Sequence, residues 1–277
     1  MRKSQNIGST IFVKLSICCG LGILLLGLNG CSDNTTAAAF VGTPGTPSAK
    51  DFTILYSEPN PSIYTEGGGY VQTELDVTVT LDTNKDIALL SGVIVNFATE
   101  WGTFVPIEES GLAANTCALD VTGKCLVKWR SGKPGIPNVI GSAPTDCRVA
   151  FTAWTTGEEA YIDLNGNGSY DDNDDTQGVG SGFLDLPEPF VTTIAGGTFT
   201  VTIDGTNYTV RDSVFRPGGD LLLDVFAVNG VHDAADGLYN GSSCTHSSLC
   251  GNPSTIIWDA GLLPIADTAA DPPIACS

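Results

Sequence analysis

The sequence predicts an all-β protein, a two-sheet sandwich followed by a smaller loop-rich β module. Three observations carry that prediction. Short segments alternate apolar and polar residues at a period of two, as half-buried strands do. Turn-forming Gly, Pro, Asn and Asp separate these segments, with 33 glycines and 15 prolines in the chain. No long run carries apolar residues at the helical period of about 3.6.

The N-terminus reads as a targeting segment over residues 1–30. Arg2, Lys3 and Lys14 precede or enter an apolar stretch from Leu15 to Leu28, which is short for a membrane span. It ends in LNGC, Leu28 to Cys31. This resembles a bacterial lipobox, which implies that Cys31 is lipidated, becomes the mature N-terminus and anchors the chain in a membrane. Ser32 after it, by the same resemblance, favours the outer membrane or cell surface. The plain alternative is a secretory signal cleaved nearby. Either way the mature chain is expected outside the cytoplasm. Residues 31–50, small and polar with Pro and Gly, read as a flexible tether.

The sandwich is expected over 51–155. In TELDVTVTLD, Leu75, Val77, Val79 and Leu81 fall on one face. Val93, Val95 and Phe97 point inward on the next strand. A turn at Thr122–Gly123 then leads to CLVKWR, with Val127 and Trp129 inward, and CRVAFTAW follows with Val149 and Phe151. Strands at this spacing suit an immunoglobulin-like sandwich. Trp101, Trp129 and Trp154 read as packing residues and not as a stacking platform.

VTVTLDTNKDIALLSGVIVNFATEWGTF, followed by VTGKCLVKWRSG, resembles the bacterial Ig-like domains of the invasin and intimin type. The shared pattern is a "V-x-F-x-T…G" strand, then a strand opening G-x-apolar-x-apolar-x-W-x-S-G. The resemblance covers residues 70–155 and implies an adhesive or structural envelope role. This chain departs from the family at DTNKDIAL, where the common D-x-x-G-x-P turn lacks its proline.

The second module, residues 156–277, opens on DLNGNGSYDDND. Oxygen-bearing side chains occupy places one, three, five, nine and twelve: Asp163, Asn165, Asn167, Asp171 and Asp174. Gly168 fills the sixth place, where the chain turns sharply, and Ser169 at the seventh offers its backbone carbonyl. Calcium takes several oxygen ligands, and this spacing delivers them from one segment. The loop resembles an EF-hand loop with a dockerin-like aspartate at its end. The preceding GEEAYIDLNGNG resembles the junction of envelope proteins that pair an Ig-like domain with a calcium loop. No entering helix precedes it, so a structural Ca2+ site is expected and not a helix–loop–helix sensor. The bland reading is an acidic surface turn.

Asp204–Gly205 marks a hairpin turn in TFTVTIDGTNYTV. Downstream, Asn229, Asp233 and Asp236 repeat the second half of the loop. Val225 and Ala227 stand where its first ligands belong, and Asp224 lies one place off, so a degenerate metal half-site or a plain Asn-Gly turn is expected. A last strand is read at TIIWDA.

Of nine cysteines, Cys18 and Cys19 lie in the targeting segment and Cys31 takes lipid. Cys117, Cys125, Cys147, Cys244, Cys250 and Cys276 remain, an even set that an exported protein pairs as disulfides. Cys117–Cys125 and Cys244–Cys250 are favoured as local clips, leaving Cys147–Cys276. Zinc at Cys244, His246 and Cys250 lacks a fourth ligand.

The formal charge is −19, and loss of Arg2, Lys3 and Lys14 takes it to −22. Phosphate backbones repel such a chain, so nucleic acid is not an expected partner. Adjacent carboxylates such as Glu158–Glu159 specify no glycosidase geometry, and no catalytic constellation emerges. The expected function is a non-enzymatic surface lipoprotein that binds a protein or glycan. An accessory subunit of an envelope assembly is the alternative, and an enzyme acting on envelope polymers comes third.

Overall fold

Strands in this chain form where apolar residues alternate, and the computed structural model shows which of them pair. It describes residues 40–41, 45–59, 61, 73–81, 87–107, 110–132, 144, 146, 148–174, 182–193, 196–203, 206–211, 213–226 and 228–265. Residues 37–277 form one compact unit.

In chain order the strands are β1 (Phe40–Val41), β2 (Phe52–Tyr56), β3 (Glu74–Leu81), β4 (Ile94–Thr99), β5 (Thr103–Val105), β6 (Thr116–Ala118) and β7 (Lys124–Arg130). Then come β8 (Arg148–Gly157), β9 (Tyr161–Ile162), β10 (Phe190–Val191), β11 (Thr198–Ile203), β12 (Thr206–Arg211), β13 (Leu221–Leu222) and β14 (Thr255–Pro264). Two four-stranded antiparallel sheets run β2-β3-β7-β5 and β14-β8-β4-β6. The chain is therefore an all-β sandwich.

The core sits between the sheets and follows the alternation. Val77, Val79 and Leu81 of β3, with Val127 and Trp129 of the neighbouring β7, face Val95 and Phe97 of β4 and Val149 and Phe151 of β8, all fully or almost fully buried. Trp101 lies in the same core. The indole Nε1 of Trp129 donates to its carbonyl at 2.9 Å, which satisfies the one polar atom the ring takes inside. Gly102 follows at φ +87, and a Cβ there would stand 2.5 Å from that indole nitrogen. Trp154 lies half-buried on the other face of β8, in register with Trp258.

Two expectations change. The expected boundary at 155/156 does not divide the sheets, because β14 returns to pair with β8 along its whole length, from Thr255↔Gly157 to Pro264↔Arg148. The loop-rich module is thus an insertion between two neighbouring strands of the sandwich. Alternation revealed the strand at TIIWDA but carries no information about a partner so far away in sequence. Second, the tether is folded in part. β1 pairs with β9, the backbone of Pro47 and Ala49 exchanges hydrogen bonds with Glu158 (2.8 and 3.1 Å), and Ser48 is buried. The clip Cys117–Cys125 forms as expected, with Cα atoms 5.6 Å apart, and joins β6 of one sheet to β7 of the other. It is local in sequence and crosses the sandwich in space.

Within the insertion β11 and β12 form the expected hairpin, with Ile203 opposite Thr206. The expected targeting segment (residues 1–30), Cys31, Cys147, Cys276 and the expected Asp204–Gly205 turn lie outside the described residues.

Candidate functional site: two acidic loops on buried carboxylate pins

The inserted module has little sheet, so other groups must satisfy its backbone amides. Carboxylates, two of them fully buried, do this. Glu159 accepts from the amides of Leu186 (3.0 Å) and Asn240 (2.7 Å). Glu188 accepts from Val225 (2.5 Å), Phe226 (2.9 Å) and Asp233 (3.1 Å). Asp220 accepts from Thr193 (2.8 Å) and Arg216 (2.9 Å). Glu159 and Glu188 are fully buried. Burial pushes the Glu159 carboxyl up to about 7, against its two backbone hydrogen bonds. Composition marks acids as surface residues, so nothing in the sequence sets these pins apart.

The loop from Asp163 to Asp174 has its own internal architecture. Asp163 caps the turn, with Oδ1 accepting from the amides of Gly166 (2.6 Å) and Asn167 (3.2 Å) and Oδ2 from Gly168 (2.9 Å). Gly168 adopts φ +76, the sharp turn its place demands. Three expected ligands converge, because the amides of Asn165 and Asn167 both donate to Asp171 Oδ2, at 3.0 and 2.6 Å. Hydrogen bonds, the Asn173 amide first and the Asn165 side chain next, hold the Asp171 carboxyl below its ordinary range. Asp174 does something else. It is fully buried and accepts from the amides of Leu164 (2.7 Å) and Asp171 (3.0 Å), closing the loop on itself. Ser169 uses its hydroxyl to reach the carbonyl of Ser243 at 2.9 Å. The donor set around Asp171 is all oxygen and amide, which fits a hard cation once the two amides turn their oxygens inward. Among the described residues no three His, Cys, Asp or Glu side chains converge as a metal-binding group.

An aromatic cluster lies beneath the loop. Tyr161, Tyr170, Phe183 and Tyr239 form a second small core, with Tyr170 and Tyr239 centroids 5.1 Å apart. The clip Cys244–Cys250 (Cα atoms 5.7 Å apart) is bridged at one end to Tyr170 and at the other to Tyr239. That pairing, expected from spacing, leaves no thiolate at either position for zinc. His246 stacks on Tyr170, and its Nδ1 accepts the amides of Ser248 and Leu249, both at 3.1 Å. Asp172 Oδ1 lies 3.3 Å from the same nitrogen.

The second loop repeats more of the first loop's hydrogen bonding than its spacing shows. Asp224 accepts from the amides of Asn229 (3.0 Å) and Gly230 (2.6 Å), the role Asp163 plays for Asn167 and Gly168. Asn229 approaches Asp233 at 3.3 Å and accepts from Val231 at 2.7 Å, as Asn167 does with Asp171 and Ser169. The extra residue is accommodated at Val228, with φ 45. Asp236 lies apart from this turn and accepts from Leu238 at 2.8 Å and from the Asn240 side chain at 3.3 Å. His232 donates from Nε2 to the Glu188 carbonyl at 2.9 Å and stacks on Phe215.

Arg211, at the end of β12, ties the insertion to the sandwich. Its buried guanidinium forks onto Asp146 (2.9 and 2.7 Å) and reaches Glu100 at 2.6 Å. No protein family, curated protein or solved structure matches the chain.

Proposed function

We propose that this chain is a non-enzymatic, exported lipoprotein, anchored through Cys31, that presents an Ig-like sandwich for adhesive or structural contacts. In this reading calcium stiffens the loop from Asp163 to Asp174. The observation that carries it is the way the loop is built into the fold. Asp174 is buried as a cap, and Tyr170 and Ser169 bind the loop to the Ser243–Thr245 segment. Such a loop suits a joint better than a sensor that opens. The strand order supports the Ig-like reading: β2, β3, β7 and β5 stand as strands A, B, E and D, and β4, β8 and β14 as C, F and G. Asp163, Asn165, Asn167, Asp171 and the Ser169 carbonyl would hold the cation.

Thermal unfolding of the full chain in calcium and in excess chelator tests the metal. A ligand bound only by the folded state stabilises by about 2.7 kcal/mol at a hundred times its Kd. The midpoint should rise with calcium, and Asp171→Ala should abolish the rise. An unchanged midpoint would return the loop to an acidic turn. Palmitate labelling, lost in Cys31→Ala, tests the anchor separately.

A second reading, an accessory subunit of an envelope assembly, is favoured by the β11–β12 hairpin. Among the described residues its two strands pair with each other and with no third strand, which leaves edges for a partner.

A further inference from the structure

A groove of about 600 Å³ opens where the insertion meets the β8 and β14 ends of the sandwich. Its apolar floor is Leu186, Val225, Phe226 and Ile256, and its acidic rim is Asp233 and Asp236. The walls are set by the buried pins. Glu188 fixes the backbone at Val225, Phe226 and Asp233, and Glu159 fixes it at Leu186 and Asn240. Binding sites commonly take this form, concave, largely pre-formed and at the junction of two structural units. Among the described residues no lysine, arginine or histidine lines the groove, and no cation pairs with either rim carboxylate.

We propose that this groove captures a short extended segment of a partner protein, one that carries an apolar side chain flanked by lysine or arginine. Charge complementarity selects this occupant. Two uncompensated carboxylates on a chain of formal charge −19 attract a basic segment and steer its approach. A neutral glycan would leave that charge unbalanced, and a cation alone would leave the apolar floor uncovered. The inference deepens the partner-binding role proposed above. It rests on that role only for the existence of a partner, since lipid anchoring and calcium stabilisation have their own readouts.

The test is titration of the full chain, at low salt, with a blocked basic pentapeptide alternating lysine and leucine, and with its glutamate–leucine counterpart. Amide chemical shifts of groove residues report binding. The basic peptide should bind, and the acidic one should bind at least tenfold more weakly. Asp233→Asn/Asp236→Asn should weaken the basic peptide by about tenfold, as should raised salt. Asp236→Lys, at an exposed position, should shift preference toward the acidic peptide and guards against a folding defect in the double variant. Equal binding of both peptides, or no binding, would overturn the proposal. So would saturable shifts with a chitin oligosaccharide, or with calcium alone, in place of the basic peptide.

Discussion

The Glu159 carboxylate holds the backbone amide of Asn240 at 2.7 Å, across eighty-one residues of sequence. No basic side chain faces it among the described residues, and burial pushes its carboxyl up to about 7. The folded state therefore holds a proton there more tightly than the unfolded chain does. This group's contribution to stability is greatest below its ordinary value of 4.5 and is lost as pH rises through about 7. Burial also raises Glu100, Asp185 and Asp259, which act in the same direction. Urea unfolding between these pH values should show stability falling as pH rises. The slope should be shallower in Glu159→Ala, and equal slopes in both proteins would refute the linkage.

The Arg211 network should be costly to break. Arg211→Met leaves Glu100 and Asp146 close together without their shared cation. Removing one partner of a buried ion cluster costs about 3–5 kcal/mol. Arg211→Lys keeps the charge but loses the two-pronged grip on Asp146, so its midpoint in urea should fall between those of the wild type and the Met variant. Identical midpoints for all three would show that the insertion is held by other contacts.

Val228 offers a stabilising substitution. It is 79% exposed and is the one non-glycine residue with positive φ among those described. A β-branched side chain is strained there, whereas asparagine tolerates the left-handed region. Val228→Asn should raise stability by about 1 kcal/mol, read as a higher thermal midpoint. A lower midpoint would mean that the valine side chain makes contributions beyond its backbone conformation.

The Cys117–Cys125 bridge closes a short loop but spans both sheets. On chain entropy alone its removal costs about 2–3 kcal/mol. Cys117→Ala/Cys125→Ala should lose at least that in urea unfolding, because both side chains are also buried in the core. A smaller loss would mean that packing relaxes to fill the space.

The parts of the fold legible in sequence are those set by local rules. Alternation placed Val77, Val95, Val127 and Val149 inward, and all four are buried. Spacing identified the Cys244–Cys250 clip, and Asp204–Gly205 located the hairpin between β11 and β12. The parts that escaped depend on distant partners. β14 reads as a strand, but nothing local names β8 as its neighbour. Asp224 lies one place off its expected position, and a left-handed Val228 is what brings it into register. Asp174 has a ligand's spacing, yet its carboxylate closes the loop from inside. Glu159 and Glu188 look like surface acids until the backbone around them is known to lack a ladder.

Gly157 and Thr255 are register partners at the ends of β8 and β14, so the two ends of the insertion are neighbours. The sandwich thus behaves as a chassis with a single socket. About a hundred residues fit between those two ends at a small closure cost, since that cost grows only slowly with length. A chain of this design can exchange the inserted module at one site, while the paired strands that frame it stay the same.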